Sequence, residues 1–209
     1  MKLADTDVLV LCGGQGTRLR GVLPKGTPKC LADINGSPFI DILTKQLASF
    51  RRILFAAGYG WIMLDEHLGG AYRDGRLYTE ASQSGTGRPI DFIRKREGDN
   101  LSDPFFVING DTFCELDHVA ILQNHLKSFA EVTAPYDTQY RSVGTYLLSK
   151  KAVSIAAETL GPKWNIDDAF AVWPKKKVLV NWYPTLVKYW DIGSPEALTA
   201  FREYWKTRK

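Results

Sequence analysis

Residues 7–19 read DVLVLCGGQGTRL, and the fold turns on how this stretch is understood. Val8, Leu9, Val10 and Leu11 form an apolar run without polar alternation, the pattern of a strand buried on both faces of a parallel sheet. The run ends in Gly13, Gly14 and Gly16. Glycines at such a junction let the backbone pass close to something else, because no Cβ stands in the way. In open α/β sheets that something is usually a ligand held beyond the carboxyl ends of the strands.

Working outward, the chain keeps a strand–helix rhythm. SPFIDILTKQLASF (37–50) predicts a helix with Ser37 as its cap and Pro38 in the first turn, and RRILFAA (51–57) predicts the next strand. A helix over 61–70, a strand over 76–81, a helix from about Pro89 and a buried strand over 104–111 continue the pattern. Then come a helix over 116–128, strands over 131–136 and 143–149, a helix over 152–161, and strands over 178–184 and 186–193. A closing helix is expected over 194–206, with Ser194 as cap and Pro195 in the first turn. The expectation is an α/β protein: a Rossmann-like three-layer α/β/α architecture with a mostly parallel mixed sheet. Neither a repeat nor a low-complexity linker divides the chain, so residues 1–209 read as a single domain.

The chain is 44% hydrophobic, enough for a substantial core. Its 27 Lys and Arg against 23 Asp and Glu give a net charge of +4. The positives are scattered apart from Lys175, Lys176 and Lys177, which follow Pro174 and read as a solvated turn before a strand. Neither nucleic acid nor a membrane is an expected partner. Cys12, Cys30 and Cys114 lack C-x-x-C spacing and lie in apolar surroundings, so reduced thiols in a cytoplasmic protein are expected. The N-terminus has no apolar region of signal-peptide length, which points the same way.

The glycine loop fails the two common phosphate signatures. From Gly14 and Gly16, the third glycine of G-x-G-x-x-G would fall on Leu19, and no G-x-x-x-x-G-K-[ST] is present. What remains is a strand end, freed backbone amides, and two cations, Arg18 and Lys29, separated by a short basic, proline-bounded segment. Such amides can bind phosphate oxygens, and a guanidinium can clamp phosphate with two prongs.

GGQGTRL followed by TPKCLADINGSPFIDIL resembles the signature of the sugar-1-phosphate nucleotidyltransferases, G-G-x-G-T-R-L and then P-K. The resemblance implies the GT-A-like fold of that family, and a glycine loop wrapped around a nucleoside triphosphate. Leu11, Gly13, Gly14, Gly16, Thr17 and Arg18 would bind the nucleotide. Arg18 would also stabilise the departing pyrophosphate, and Lys29 would assist near the reacting phosphorus and the acceptor phosphate. Positioning and charge neutralisation of this kind are what phosphoryl-type transfer needs.

Two anionic reactants also call for a divalent ion. Magnesium takes oxygen ligands, often one or two carboxylates with phosphate oxygens and water. Asp111, ending the apolar FFVIN in Gly110-Asp111-Thr112, and Asp191, in WDIGSPEAL, both stand at strand ends. They resemble the family's G-D and D-I-G-T/S-P-E, which implies that they are metal ligands, with Asp111 also catalytic and Asn109 beside the nucleotide.

TEASQSGTGRPI (79–90) resembles the loop that lines base and ribose, which implies roles for Glu80, Gly85, Thr86 and Gly87. Here Arg88-Pro89 replaces the usual Gly-Ala. The connection 137–142, DTQYRS, is shorter than the family's excursion carrying a second lysine, and Val143 stands where Asn precedes Gly144. Arg141 is the nearest substitute for that lysine, and Gly144, Lys163 and Asp167 complete the expected sugar-phosphate set. Trp190 could border the same pocket.

The resemblance implies that a nucleoside triphosphate and a sugar 1-phosphate give a nucleotide-sugar and pyrophosphate, in a monomer or homodimer. It leans to GTP and a heptose or hexose 1-phosphate, with CTP, UTP or dTTP and other acceptors open. A molybdenum-cofactor guanylyltransferase is a poorer fit, since its loop usually reads S-R-M-G. A non-catalytic nucleotide-binding or regulatory protein is the alternative outside enzymes.

Overall fold

A computed structural model describes residues 1–71, 73–79 and 85–208. In chain order these form β1 (Asp7–Cys12), α1 (Phe39–Gln46), β2 (Arg52–Ala57), α2 (Trp61–His67), β3 (Leu77–Thr79), α3 (Gly87–Glu97), β4 (Phe105–Asn109) and β5 (Thr112–Cys114). They continue with α4 (His118–Ser128), β6 (Val132–Tyr136), β7 (Thr145–Leu148), α5 (Lys150–Leu160), α6 (Ile166–Ala169), β8 (Val180–Pro184), β9 (Tyr189–Asp191) and α7 (Pro195–Lys206).

Seven strands make one sheet in the order β3-β2-β1-β4-β7-β6-β8. β1 lies between β2 and β4, parallel to both, as its uniformly apolar sequence requires. Only β7 runs against its neighbours, pairing antiparallel with β4 and β6, so the sheet is mixed but mostly parallel. This confirms the α/β fold read from the sequence.

Side chains that alternate along each strand feed two cores. Val8, Val10, Phe106 and Ile108 point to one face, where Phe39, Ile40, Leu43, Leu122, Leu198 and Phe201 from α1, α4 and α7 cover them. Leu9, Phe105 and Val107 point to the other, covered by Ile90, Ile93, Ala152, Val153 and Ala156 from α3 and α5. Loops at the carboxyl ends of β1, β2 and β4 therefore start from a platform packed on both faces.

The structure moves several boundaries. α1 begins at Phe39 with Pro38 as its cap; Ser37 is not the cap, because its carbonyl accepts from Ile34 N (2.8 Å) in a tight turn. That helix ends at Gln46, four residues early. α3 starts at Gly87, two residues before Pro89. The stretch 186–193 contributes only Tyr189–Asp191 as a strand, and that strand leaves the large sheet to pair with β5. The short α6 was not foreseen. The last two residues of the strand expected over 76–81 lie outside the described residues, as does Glu80 itself. Lys175–Lys177 form an exposed turn before β8, as expected. Among the described residues no helix is long and apolar enough to cross a membrane.

Candidate active site

A cavity of about 770 Å³ opens at the carboxyl edge of the sheet. The glycine loop forms one wall. Leu11, Gly13, Gly14 and Gln15 continue directly from β1, and Lys29 reaches in from the following segment. Gly16 has φ +59°, and a Cβ there would lie 2.6 Å from Lys29 Cγ. Any larger residue would be strained and would push the lysine stem aside. The glycine therefore fixes where Lys29 runs, and Lys29 Nζ ends in an ion pair with Asp111.

Asp111 follows β4, the strand beside β1. Its carbonyl accepts from Ile192 N (2.9 Å), and the next residue, Thr112, pairs directly with Asp191 across the β5–β9 ribbon. This ribbon brings together two carboxylates from distant parts of the chain. Asp191 Oδ1 accepts from Gly193 N at 2.7 Å. A Cβ on Gly193 would lie 2.7 Å from both Asp191 Oδ1 and Arg18 Nη2, so the exposed guanidinium and this carboxylate flank one glycine. Lys29, Asp111, Asp191 and Arg18 thus form one continuous neighbourhood. Thr17 sits beside Arg18 on the exposed loop.

Oxygen-only donors suit a hard cation such as magnesium, and two carboxylates on neighbouring strands are enough when phosphate and water supply the rest. Among the described residues no cluster of three or more His, Cys, Asp or Glu offers a closed protein cage. The donor set therefore fits a magnesium ion shared with a phosphate substrate.

The far wall is built by Gly85, Thr86 and Pro89 at the start of α3, with Thr79 and Asn165. Gly87 is buried behind it, against Trp164. Asn109, at the end of β4, donates its N–H to the Gly144 carbonyl (2.8 Å). A Cβ on Gly144 would stand 3.0 Å from Asn109 Nδ2, so these two residues share one corner. Val143 is fully buried core.

The remaining expected sugar-phosphate residues lie outside the cavity wall. Arg141 is exposed and bound to Asp137 through Nε (2.9 Å) and Nη2 (2.7 Å), its guanidinium 5.5 Å from the Tyr189 ring centre. Hydrogen bonds from the Arg141 backbone and side chain hold the Asp137 carboxyl below its ordinary range. Lys163 is exposed on the α5–α6 connection and Asp167 on α6 itself. Asp167 accepts from the Tyr146 hydroxyl (3.5 Å), whose pKa burial pushes up to about 12. Arg88 gives Nη1 to the Pro162 carbonyl (3.2 Å). Trp190 turns into the core, stacked on Tyr204 with ring centres 4.7 Å apart.

Sequence reasoning missed the loop after β2. Gly58, Tyr59 and Trp61 line the cavity, and Tyr59 N donates to the Gly13 carbonyl (3.3 Å) while its hydroxyl accepts from Gly26 N (3.2 Å). The available signal was topological: β2 is parallel to β1 in register, Cys12 opposite Ala57, so its glycines end at the same edge. Cys12 and Cys30 also line the cavity as free thiols; a hydrogen bond between them and burial push the Cys12 pKa well up, which leaves it unreactive.

Comparison with known proteins agrees with this geometry. The family model described as nucleotidyl transferase matches residues 7–139. The D-glycero-alpha-D-manno-heptose 1-phosphate guanylyltransferase of Campylobacter jejuni is 29% identical over 123 residues, 57% of this chain and 53% of that protein. The mannose-1-phosphate guanylyltransferase catalytic subunit beta of Xenopus tropicalis is 32% identical over 127 residues, 56% of this chain and 34% of that protein. The matched part thus spans about half the length of the first relative and a third of the second. The crystal structure of HddC from Yersinia pseudotuberculosis complexed with GMP-PN superposes with a TM-score of 0.72 at 25% identity, over 96% of this chain and 99% of that one. The family match begins with β1, takes in the glycine loop, Lys29 and Asp111, and covers well over half of the sequence: the chain belongs to the nucleotidyl transferase family, whose members generally depend on a divalent cation.

Proposed function

We propose that the protein joins a nucleoside triphosphate to a sugar 1-phosphate, releasing pyrophosphate. The observation that carries this reading is the convergence of Lys29, Asp111, Asp191 and Arg18 at one edge of a cavity walled by the glycine loop.

An oxygen of the acceptor's phosphate would attack the α-phosphorus. The bond from that phosphorus to the bridging oxygen breaks, and pyrophosphate leaves with the electron pair. The nucleophile is already an anion, so no general base is required. The task of the protein is to hold two phosphates together and offset their charge. The glycine loop would place its N–H groups on the phosphates, with Thr17 beside them. Arg18 would take charge accumulating on the leaving group. Lys29, whose ammonium rests on Asp111, would turn toward the α-phosphate and the incoming acceptor. Asp111 and Asp191 would hold a magnesium ion, which when bound supplies positive charge between the reacting phosphates.

Leu11, Gly85, Thr86 and Asn109 would border the nucleoside, with Gly87 supporting them. Gly144, Arg141, Lys163 and Asp167 would receive the sugar phosphate beyond the Asn109 corner. A guanine base and a heptose or mannose 1-phosphate are supported by the names of the relatives and by the GMP-PN complex of the Yersinia protein. Residues 1–209 would act as a single domain in the cytoplasm, as monomer or homodimer.

The test is pyrophosphate release with GTP, CTP, UTP and dTTP, each against heptose, mannose and glucose 1-phosphates in magnesium. Fastest release is expected with GTP and a heptose or mannose 1-phosphate. Tight triphosphate binding without release from any pair would replace this reading with that of a nucleotide-binding protein.

A further inference from the structure

The wall of the cavity at Gly85–Thr86 leads into α3 but is not held by that helix alone. It rests on a segment nearly 80 residues further along, the start of α6. Gly87 N donates to the Trp164 carbonyl at 2.9 Å. Thr86 N donates to Asn165 Oδ1 (3.3 Å), and Thr86 Oγ1 accepts from Ile166 N (3.0 Å). Two successive residues on one side thus bond three on the other.

Packing is as close as the hydrogen bonding. A Cβ on Gly87 would lie 2.0 Å from Trp164 Cε3, and one on Gly85 would lie 2.3 Å from the Trp164 carbonyl oxygen. The indole fills the space that glycine leaves at 87, and Trp164 is only 3% exposed. Trp164 does not line the cavity, whereas its neighbour Asn165 does. Asn165 is itself fixed by the α6 capping box: its N–H donates to Asp168 Oδ2 (2.8 Å).

We infer that Trp164 is a positioning residue for the nucleotide: seated on Gly87, it holds the Gly85–Thr86 wall and Asn165 at the width a bound base requires. This rests on the nucleotide reading of the cavity. It also gives the glycines at 85 and 87 a second reason to be glycine, since they accept the indole segment rather than the ligand alone.

Gly87→Ala tests the clamp. Position 87 is the first residue of α3 with ordinary helical backbone, where alanine is favoured by propensity, so the helix itself is not harmed. The added methyl must instead expel the indole. Equilibrium dialysis in magnesium, with GTP, CTP, UTP and dTTP as probes, would give the dissociation constant of the best-bound triphosphate. Gly87→Ala is expected to weaken it at least tenfold, and Trp164→Ala by a similar factor. In the double variant the methyl enters vacated space, so the loss should be clearly smaller than the product of the two. Thermal unfolding followed alongside separates this from a general loss of fold, which would lower Tm without that coupling in affinity. Wild-type dissociation constants in both single variants would overturn the clamp while leaving the nucleotide reading intact. If the wild-type protein bound no triphosphate at all, the nucleotide reading would fail and the clamp with it.

Discussion

β1 has two ends, and they treat charge in opposite ways. At its first residue, Asp7 is fully buried and saturated. Arg51 Nε (2.8 Å), Arg52 Nε (3.2 Å) and Nη2 (2.9 Å), and Ser102 N (3.0 Å) all donate to its carboxylate, while Asp7 N donates to Ser102 Oγ. Burial acts to raise its pKa, but these hydrogen bonds win and hold it low. At the other end, past Cys12, glycines keep the backbone open. There Lys29 and Asp111 form a largely buried pair at the cavity wall, and among the described residues Arg18 makes no ion pair. Saturated charge fixes the platform; unsaturated charge beside a cavity is available to a ligand.

That contrast can be broken most sharply at Asp111. Asp111→Asn should abolish magnesium-dependent pyrophosphate release yet leave the protein folded, since the asparagine keeps an oxygen that can accept from Lys29. Retained turnover would remove Asp111 from the site. Arg18→Ala comes next, with a loss of about a hundredfold in kcat, the scale of one preorganised charge contact. Steady-state rates close to wild type would show that the guanidinium only decorates the loop.

The opposite end should respond in the opposite currency. Asp7→Asn strands two guanidiniums, both partly exposed, and is expected to cost about 2–4 kcal/mol in urea unfolding, with kcat per folded molecule preserved. A large drop in kcat at full folding would erase the distinction between the two ends. The mildest effect per unit of perturbation concerns pH, read as a slope rather than a loss. Burial lowers His118 and His125 to about 4, outweighing the opposing pull of Asp117 and Asp103. Unfolded, each would titrate near the ordinary 6.5. The unfolded chain therefore binds more protons between these values. Stability should decline as pH falls from 6.5 towards 4, by about 1 kcal/mol per pH unit for each histidine. Asp7, held low, loses its contribution only at still lower pH. An unfolding free energy that stays flat over that window would show that neither histidine is neutral in the fold.

The two ends also differ in how well they could be read in advance. That the glycine loop, Arg18, Lys29, Asp111 and Asp191 meet at one sheet edge was legible because each stands in a short local motif, most of them just past a strand. The strands were legible for the same reason: unalternating apolarity in Val8–Leu11 and Phe105–Ile108 has few other uses. The β5–β9 ribbon was not, because Thr112–Cys114 is too short to announce a strand and is defined by a partner far along the chain. Nor was Trp164, whose place opposite Gly87 follows from tertiary packing alone. Ser37 looked like a cap, but a turn closed by Ile34 took its backbone first.

The ribbon has a consequence for how the molecule comes into being. A nascent chain acquires the glycine loop, Lys29 and Asp111 well before residue 191 is synthesised, and pairings across so long a separation form late. During synthesis Asp111 would therefore stand ready without Asp191, and the proposed metal site could close only once the ribbon had formed.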